Sequence, residues 1–435
     1  MRHKIGIRYE DKYVLEKRVP LIPKHVKQLT DKGIEVEVVP SEKRIFKDEE
    51  YRKVGALIKE EPMDADIILG VKEMPLDYFK PYSTYLFFSH TIKGQSYNMP
   101  LLRSMMEHKV NLIDYERIVD EKGRRLIFFG RFAGLAGMIN SLWSLGQRLK
   151  VKGIMTPFMD LQQSHNYDSL EEARAAVSKV GQEIARNGLP EELKPLVIGI
   201  TGYGHVSGGA QEILNLLPII EISPADLQKL KGLKKIPSNV LYKVVFKEEH
   251  LAKPISKGKE FDLQEYYDHP ERFKGVFEQY LPNLSVLMNC MYWDTRYPRI
   301  VTKDYLEKAY QQKNLKLEVI GDITCDPDGS VEITHKGTPI SNPVFVYNPL
   351  TKEPLSGFEG EGVLVMAVDI LPSELPRESS IAFSEALIQF LSQLVTADLD
   401  VMFQDLNIPA PLKRAMVLHR GKLTPDYEYL NQYIS

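Results

Sequence analysis

The sequence lacks the features that mark several large classes of protein. It has only two cysteines, Cys290 and Cys325, which are too few and too far apart for a disulfide scaffold or a paired-cysteine zinc site. No apolar run approaches the ~18 to 20 residues of a membrane-spanning helix. The formal net charge of -3 lacks the basic excess of nucleic-acid-binding proteins. We therefore expect no metal site, no membrane and no nucleic-acid partner.

The start of the chain and its bulk composition indicate a soluble globular protein. The opening residues, MRHKIGIRYE, lack the apolar segment of a signal peptide, so a cytoplasmic location is expected. With 435 residues, of which 43% are hydrophobic and 26% charged, the chain is too long for one ordinary core. Two domains of ~150 to 250 residues each are expected. A homo-oligomer is compatible with these numbers.

Short β-rich runs alternate with helical stretches in the first part of the chain. Strands are predicted at 4–10, 34–40, 66–71, 85–89 and 110–116, and helices at 23–33, 47–56 and 97–109. This alternation predicts an open, mostly parallel α/β sheet.

A long apolar helix, predicted at 132–153, leads to a second α/β segment. A capped helix is predicted at 169–188, and strands at 196–201, 239–246, 283–293 and 316–324. The polar, tyrosine-rich segment 247–282 is predicted to be a surface insertion.

The run VIGITGYGHVSGGAQEIL (197–214) has the pattern of a dinucleotide-binding turn. Gly202 permits a tight turn, Gly204 lets backbone amides approach a pyrophosphate, and a helix N-terminus follows. Glu221 stands where an acid accepts from ribose hydroxyls. A purely structural turn is the alternative reading, and Ser207 fits a hydrolase elbow poorly. The predicted cofactor-binding residues are Gly202, Gly204, His205, Val206, Gly209 and Glu221.

Four ionisable residues follow strands of the first predicted sheet. Arg18 lies in the loop after the first strand, whereas Lys72, His90 and Glu116 directly end later strands. Ligands of open parallel sheets bind at the carboxyl ends of the strands. Arg18 suits a substrate carboxylate, and Lys72, with a pKa lowered by Arg18 and burial, suits a base with His90 as its partner. Singly, each residue also fits an ordinary strand end or surface charge.

Five motifs together resemble one enzyme family. They are GVKEMP (70–75), FFSHTIKGQ (87–95), GRRLIFFGRFAGLAGMIN (123–140), TGYGHVSGGAQ (201–211) and DILPSELPRESS (369–380). They resemble the lysine–2-oxoglutarate reductase domain of aminoadipic semialdehyde synthase and the lysine-forming saccharopine dehydrogenases, and more distantly alanine dehydrogenase. The resemblance implies reductive condensation of L-lysine with 2-oxoglutarate to saccharopine, with NADPH favoured over NADH as the cofactor. Because the chain ends at Ser435, it implies only this first activity of the bifunctional relatives.

The resemblance also implies an architecture and a set of site residues. Two Rossmann-like open parallel-sheet domains, with a cleft between them, are expected. The discontinuous substrate domain takes 1–135 and 345–435, and the dinucleotide-binding domain takes 136–344. The implied acid–base pair is Lys72 and His90, and the implied substrate-binding residues are Arg18, Glu116, Arg131 and Asp326.

Two other functions stay open at this stage. An alanine-type or opine-type dehydrogenase would use a different amine, and a nucleotide-sensing module would bind the cofactor without turnover.

Overall fold

The computed structural model describes residues 3–60, 63–232 and 236–434. The chain divides into two compact units, the first formed by Met1–Phe129 with Pro376–Ser435 and the second by Gly130–Leu375. Each unit has its own hydrophobic core. Both are α/β, and the first is discontinuous along the chain, as the sequence predicts.

The first segment of the chain alternates strands and helices. Its elements are β1 (Ile5–Ile7), α1 (Pro23–Thr30), β2 (Val36–Val38), α2 (Asp48–Arg52), β3 (Leu57–Ile58), β4 (Ile67–Leu69), β5 (Thr84–Phe87), α3 (Met99–Glu107) and β6 (Asn111–Asp114). Apart from the short β3, these strands are buried along their whole length, as is usual in a parallel sheet covered on both faces.

The second segment forms the whole of the second unit. Its elements are α4 (Gly130–Val151), α5 (Leu170–Asn187), β7 (Val197–Thr201), α6 (His205–Leu214), β8 (Ile219–Glu221), α7 (Pro224–Leu227), β9 (Leu241–Phe246), α8 (Glu248–Leu251), β10 (Ala252–Pro254), α9 (Leu263–Asp268), β11 (Phe273–Gly275), β12 (Val286–Asn289), α10 (Lys303–Gln311), β13 (Val319–Asp322), β14 (Val344–Tyr347), β15 (Pro354–Ser356) and β16 (Val363–Met366).

The last segment returns to the first unit. It contains α11 (Pro376–Leu394), α12 (Ala410–Arg414), β17 (Met416–His419), β18 (Lys422–Leu423) and α13 (Asn431–Ile434). Strand β17 adds antiparallel to β6. The first sheet therefore has the order β18-β17-β6-β5-β4-β1-β2-β3, in which β1 to β6 are all parallel.

The second sheet has the order β15-β14-β16-β13-β12-β7-β9-β8. Strands β7, β8, β9, β12, β13 and β16 are parallel, and β14 runs antiparallel to β16. The strand that precedes the glycine turn, β7, is thus flanked by β9 and β12. Strand β8, which follows the turn in sequence, lies at the edge, one strand farther away.

The chain was expected to return to the first domain at residue 345, but residues 345–375 belong to the second unit. Strands β14, β15 and β16 pair with one another and, through β16, with β13 of the second sheet. The chain returns at Pro376, at the start of α11. The apolar runs of β14 and β16 fit a buried strand of either sheet, so their local pattern does not say which sheet they join.

The long apolar helix begins at Gly130 and belongs to the second unit. Its glycines allow a very close approach to α6, since a Cβ at Gly134 would overlap the Val206 carbonyl oxygen. The insertion predicted at 247–282 contains the two-stranded sheet of β10 and β11 and a small aromatic core.

Two searches of the described part of the chain are negative. None of its helices is long and apolar enough to cross a membrane. No group of three or more His, Cys, Asp or Glu residues there is arranged to hold a metal ion.

Candidate functional site

The four ionisable strand-end residues of the first unit lie along one edge of its sheet. Lys72 follows β4, His90 follows β5 and Glu116 follows β6, whereas Arg18 is in the loop after β1. Strands β1, β4, β5 and β6 are neighbours and parallel, so their carboxyl ends meet at this edge. The edge is therefore the place where a substrate of this unit would bind.

Lys72 is held in place through its backbone and has a lowered pKa. The N–H groups of Val71 and Lys72 donate to the two carboxylate oxygens of Glu10, at 2.7 and 2.9 Å. The Lys72 ammonium lies 5.7 Å from the centre of the Tyr13 ring, and no carboxylate of a described residue is within 4.0 Å of it. Burial, and next the positive charge of Arg18, lower the pKa of Lys72, against the attraction of the Glu73 and Glu16 carboxylates. The side chain therefore loses its proton more readily than an ordinary lysine.

His90 is joined to a carboxylate that the sequence did not single out. Its Nδ1 is 2.6 Å from Glu73 Oε1, which also takes the ammonium of Lys12 at 2.6 Å. Burial opposes ionisation of Glu73, but the hydrogen bonds from His90 and Lys12 hold its pKa down to about 2. Glu73 is therefore ionised at neutral pH, and its charge fixes the orientation of the imidazole ring.

The backbone also fixes His90. Its φ of 54° lies in the left-handed region, which a histidine adopts rarely. The Asn98 side-chain amide donates to the His90 carbonyl at 2.8 Å, and the preceding Ser89 amide donates to the buried Asp114 carboxylate at 3.2 Å. Burial raises the pKa of Asp114 to about 6. Strain of this kind is found where a side chain must be aimed at a ligand.

Arg18 is buried and its orientation is fixed. Its Nε and Nη2 donate to the two Glu16 carboxylate oxygens at 2.7 and 2.6 Å, and its guanidinium lies 4.3 Å from the centre of the Phe129 ring. Its Nη1 donates to no described residue. The edge of the guanidinium that carries Nη1 is therefore the part that suits a substrate carboxylate.

The other three predicted substrate-binding residues make contacts of their own, Glu116 in the first unit and Arg131 and Asp326 in the second. Glu116 pairs with Arg125, and Arg131, in the first turn of α4, donates from Nε and Nη2 to Glu212 at 2.8 to 3.0 Å. Asp326 lies in the loop after β13, where its carbonyl accepts from the Gly329 amide at 3.0 Å. Of the predicted set, the first unit thus has Arg18, Lys72, His90 and Glu116 along one edge of its sheet, with Glu116 engaged in an ion pair.

The two glycines of the turn in the second unit, Gly202 and Gly204, have different roles, as in a dinucleotide-binding site. Gly202 has a φ of +82°, and a Cβ there would lie 3.2 Å from the Cys290 carbonyl oxygen. Gly204, the N-cap of α6, has a φ of −80°, and a Cβ there would meet no atom within 4 Å. Packing therefore does not require glycine at 204, whereas a pyrophosphate at the helix N-terminus would. His205 and Val206 form the first turn of α6.

The structure assigns Gly209 to packing rather than to cofactor contact. A Cβ at this position would overlap the Arg131 carbonyl oxygen and lie 3.0 Å from the Leu135 amide nitrogen. Gly209 thus lets α6 and α4 approach closely. In dinucleotide-binding folds the third glycine of the fingerprint likewise serves close packing.

Glu221 does not stand next to the glycine turn. It ends the edge strand β8, and its carboxylate pairs with Lys243 at 2.8 Å. Its 19-residue spacing from Gly202 fits the fingerprint, but strand β9 intervenes between β8 and β7. The expected ribose contact of Glu221 is therefore not supported by the sheet order.

The sequence reasoning missed the partners of the residues it found. Glu16 orients Arg18, Glu73 orients His90, and Glu10 holds the backbone at Lys72. Glu73 directly follows Lys72, and Glu16 is two residues before Arg18. Acidic residues this close to predicted active-site cations are a signal that could have found them.

Family models match both parts of this architecture. The alanine dehydrogenase/PNT N-terminal domain matches residues 6–136, and the alanine dehydrogenase/PNT C-terminal domain matches residues 286–426. The chain belongs to the alanine dehydrogenase/PNT family. Solved structures show the same fold: an L-alanine dehydrogenase aligns over 99% of this chain and 100% of its own, with a TM-score of 0.58 and 17% identity. A transhydrogenase from Sinorhizobium meliloti aligns over 97% and 99%, with a TM-score of 0.53 and 13% identity.

The chain is homologous to alpha-aminoadipic semialdehyde synthases and to saccharopine dehydrogenases. Alpha-aminoadipic semialdehyde synthase from Arabidopsis thaliana is 41% identical over 98% of this chain and 41% of that protein. The mitochondrial enzyme of Mus musculus is 34% identical over 99% of this chain and 48% of that protein. The chain thus spans less than half the length of these two relatives. The NAD(+), L-lysine-forming saccharopine dehydrogenase of Emericella nidulans is 28% identical, over 90% of this chain and 92% of that enzyme.

Proposed function

We propose that this chain is a lysine–2-oxoglutarate reductase, which condenses L-lysine with 2-oxoglutarate and reduces the product to saccharopine, or catalyses the reverse reaction. The observation that carries the proposal is the environment of Lys72. Lys72 is half-buried, its pKa is lowered by burial and by the positive charge of Arg18, and it lies on the edge that also holds His90. The homology to saccharopine-forming enzymes supports the choice of substrates.

The reaction requires a base for an amine and an acid for a carbonyl oxygen. Neutral Lys72 takes a proton from the ε-ammonium of the substrate lysine, so that its nitrogen attacks the 2-oxoglutarate carbonyl carbon. Protonated His90 gives a proton to the carbonyl oxygen and then takes the extra proton from the attacking nitrogen, which leaves the neutral carbinolamine. It gives that proton to the carbinolamine hydroxyl, which departs as water. The imine that results is reduced by the hydride that a nicotinamide cofactor supplies.

The charged neighbours of the two residues support these roles. The Arg18 charge favours neutral Lys72, and the Glu73 carboxylate, ionised at neutral pH, orients the His90 imidazole through the 2.6 Å contact with Nδ1. The accessible edge of Arg18 holds a carboxylate of 2-oxoglutarate. That contact fixes the carbonyl carbon for attack and for hydride transfer.

The cofactor belongs to the pyridine-nucleotide class, and the predicted preference for NADPH over NADH is the finer part of the proposal. Four lysines follow β8 in the sequence and offer positive charge to a 2′-phosphate: Lys229, Lys231, Lys234 and Lys235. Lys229 pairs with Asp226 at 2.7 Å. The side chains of the other three lie outside the described residues. A cytoplasmic location likewise stays a prediction, as do Glu116, Arg131 and Asp326 as substrate contacts.

The test is the oxidation of NADPH or NADH, followed at 340 nm, with L-lysine and 2-oxoglutarate. We expect turnover only when both substrates are present, and saccharopine as the product by mass spectrometry. Turnover with alanine or ammonia in place of lysine would identify an alanine-type dehydrogenase instead. Tight nucleotide binding without turnover of any amine would identify a nucleotide-sensing module.

A further inference from the structure

The order of the strands shows where the ribose of a dinucleotide would lie. In dinucleotide-binding sheets, an acid at the end of the strand beside the glycine-turn strand accepts from the adenosine ribose. Here that neighbour is β9, since Thr201 of β7 is paired with Phe246 and the Gly202 amide donates to the Phe246 carbonyl at 2.9 Å. The residues directly after β9 are Lys247 and Glu248.

Glu221 is far from this position. It is paired with Lys243, three residues before the end of β9, and lies two strands away from β7. Three residues of strand and two strand spacings each correspond to ~10 Å. The Glu221 carboxylate is moreover paired with Lys243.

Glu248 faces a cavity in front of the glycine turn. The cavity has a volume of about 390 Å³ and is lined by Gly202, Gly204, Glu248 and the residues that follow β12. Glu248 accepts a hydrogen bond from the Tyr267 hydroxyl at 2.8 Å. Lys247 is exposed, and its ammonium lies 5.9 Å from the centre of the Tyr203 ring, which also lines the cavity.

Four further tyrosines line the cavity. Tyr266 and Tyr267 come from the insertion, and Tyr292 and Tyr297 come from the loop after β12. Tyr266 lies 5.2 Å from Tyr297, ring centre to ring centre, so the insertion and this loop form one wall. Tyrosine rings suit a purine base, because bases stack on aromatic side chains.

We infer that this cavity binds the adenosine end of the dinucleotide, and that Lys247 and Glu248, rather than Glu221 and Lys229, determine the choice between NADPH and NADH. Glu248 accepts from the ribose hydroxyls and repels a 2′-phosphate. Lys247 attracts that phosphate. The inference rests on the pyridine-nucleotide part of the proposed function and does not depend on lysine as the substrate.

The test is calorimetric titration of the full chain with NADH and NADPH, without substrates. Glu248→Gln should raise the affinity for NADPH relative to NADH by about tenfold, since it removes the repulsion. Lys247→Gln should lower the same ratio about threefold or more. The matched controls Glu221→Gln and Lys229→Gln should change it by less than twofold. An unchanged ratio in both Lys247→Gln and Glu248→Gln, or a shift in either control, would overturn the inference.

A second pair of variants tests the aromatic wall. Tyr292 is 76% exposed, so Tyr292→Ala should leave the fold intact while it weakens NADH, NADPH and AMP about equally. Tyr97, which is 72% exposed in the first unit, provides the control Tyr97→Ala, and its nucleotide affinities should not change. Unchanged AMP affinity in Tyr292→Ala would place the adenosine elsewhere.

The two proposals fail in distinguishable ways. If the affinity ratios shift as expected but no turnover occurs with lysine and 2-oxoglutarate, only the proposed reaction is wrong. If turnover occurs and the ratios do not shift, only the assignment of Lys247 and Glu248 is wrong.

Discussion

At the scale of single residues, Lys72 has the environment of a base. Lys72→Met keeps most of the apolar stem but removes the proton acceptor. We expect turnover with lysine and 2-oxoglutarate to fall by roughly 10²-fold or more, with little change in nucleotide affinity. Since the neutral amine is the active form, wild-type kcat/KM should rise with pH through the lowered pKa of Lys72, and this limb should weaken or move in the variant.

Lys80→Met is a suitable control for that experiment. Lys80 precedes β5, at the opposite end of the strands from Lys72, and donates to the Asp64 carbonyl. Its substitution should leave kcat and the pH profile unchanged. Near-wild-type turnover in Lys72→Met would leave Lys72 as a structural lysine only.

Glu73 gives a prediction about stability. Its pKa of about 2 in the folded chain is below its ordinary value of 4.5, so its ionised form stabilises the fold by at most about 3 kcal/mol. This contribution is present above pH 4.5 and is lost as the pH falls toward 2. Glu73→Gln should therefore lower the midpoint of urea unfolding at pH 7, and the difference from wild type should shrink between pH 4.5 and 3.

The exposed Glu121 provides the control, because Glu121→Gln should give the same midpoint as wild type at each pH. A Glu73→Gln deficit that stays constant with pH would show that the loss is one of packing and not of charge.

The sequence can reveal ionisable residues at the ends of strands, but not the residues that orient them. Lys72 and His90 interrupt apolar runs, so the sequence marks them directly. Glu16 and Glu73 act through hydrogen bonds to Arg18 and His90, and hydrogen-bond partners leave no periodic signal in the chain. Arg131 was expected from a motif, but its ion pair with Glu212 depends on how α4 packs on α6.

At the scale of elements, the glycine turn separates binding from packing. Gly204→Val should leave the fold intact, since the φ of −80° is allowed for valine and a Cβ there meets no atom within 4 Å. The branched side chain would occupy the space of a pyrophosphate, so the affinity for NADH and NADPH should fall.

Gly209→Ala is its matched variant within the same helix. Its Cβ would overlap the Arg131 carbonyl of α4, so we expect a loss of about 1 to 3 kcal/mol in the free energy of unfolding. Thermal melts and nucleotide titration of both variants distinguish a loss of stability from a loss of nucleotide affinity. Unchanged nucleotide affinity in Gly204→Val would return that glycine to a structural role.

The position of β8 in the sheet could not be predicted from the local sequence pattern. The pattern of β7, turn, α6 and β8 fits a dinucleotide fingerprint, and each element is present where it was expected. Its order in the sheet depends on β9, which pairs with β7 and displaces β8 to the edge. Pairing of strands is a long-range property, so local spacing placed the acid at Glu221.

At the scale of the whole molecule, alternation of strands and helices predicted open parallel α/β sheets, and the family resemblance implied the discontinuous first domain. Neither was enough to place the return of the chain, because β14 and β16 are apolar runs that either sheet could bury. The parallel pairing of β16 with β13 places these strands in the second sheet, with Val319 opposite Leu364 and Gly321 opposite Met366.

That pairing predicts which fragment of the chain folds. The second unit is continuous and has its own core, so a fragment of residues 130–375 should fold cooperatively and bind NADH or NADPH. It lacks Lys72 and His90 and should show no turnover. A fragment of residues 136–344 lacks β15 and β16 and most of β14, which leaves the buried edge of β13 unpaired, so it should unfold or aggregate. Circular dichroism melts and nucleotide titration compare the two. If the shorter fragment melts as sharply and binds nucleotide as tightly as the longer one, the strands beyond residue 344 are not part of the folding unit.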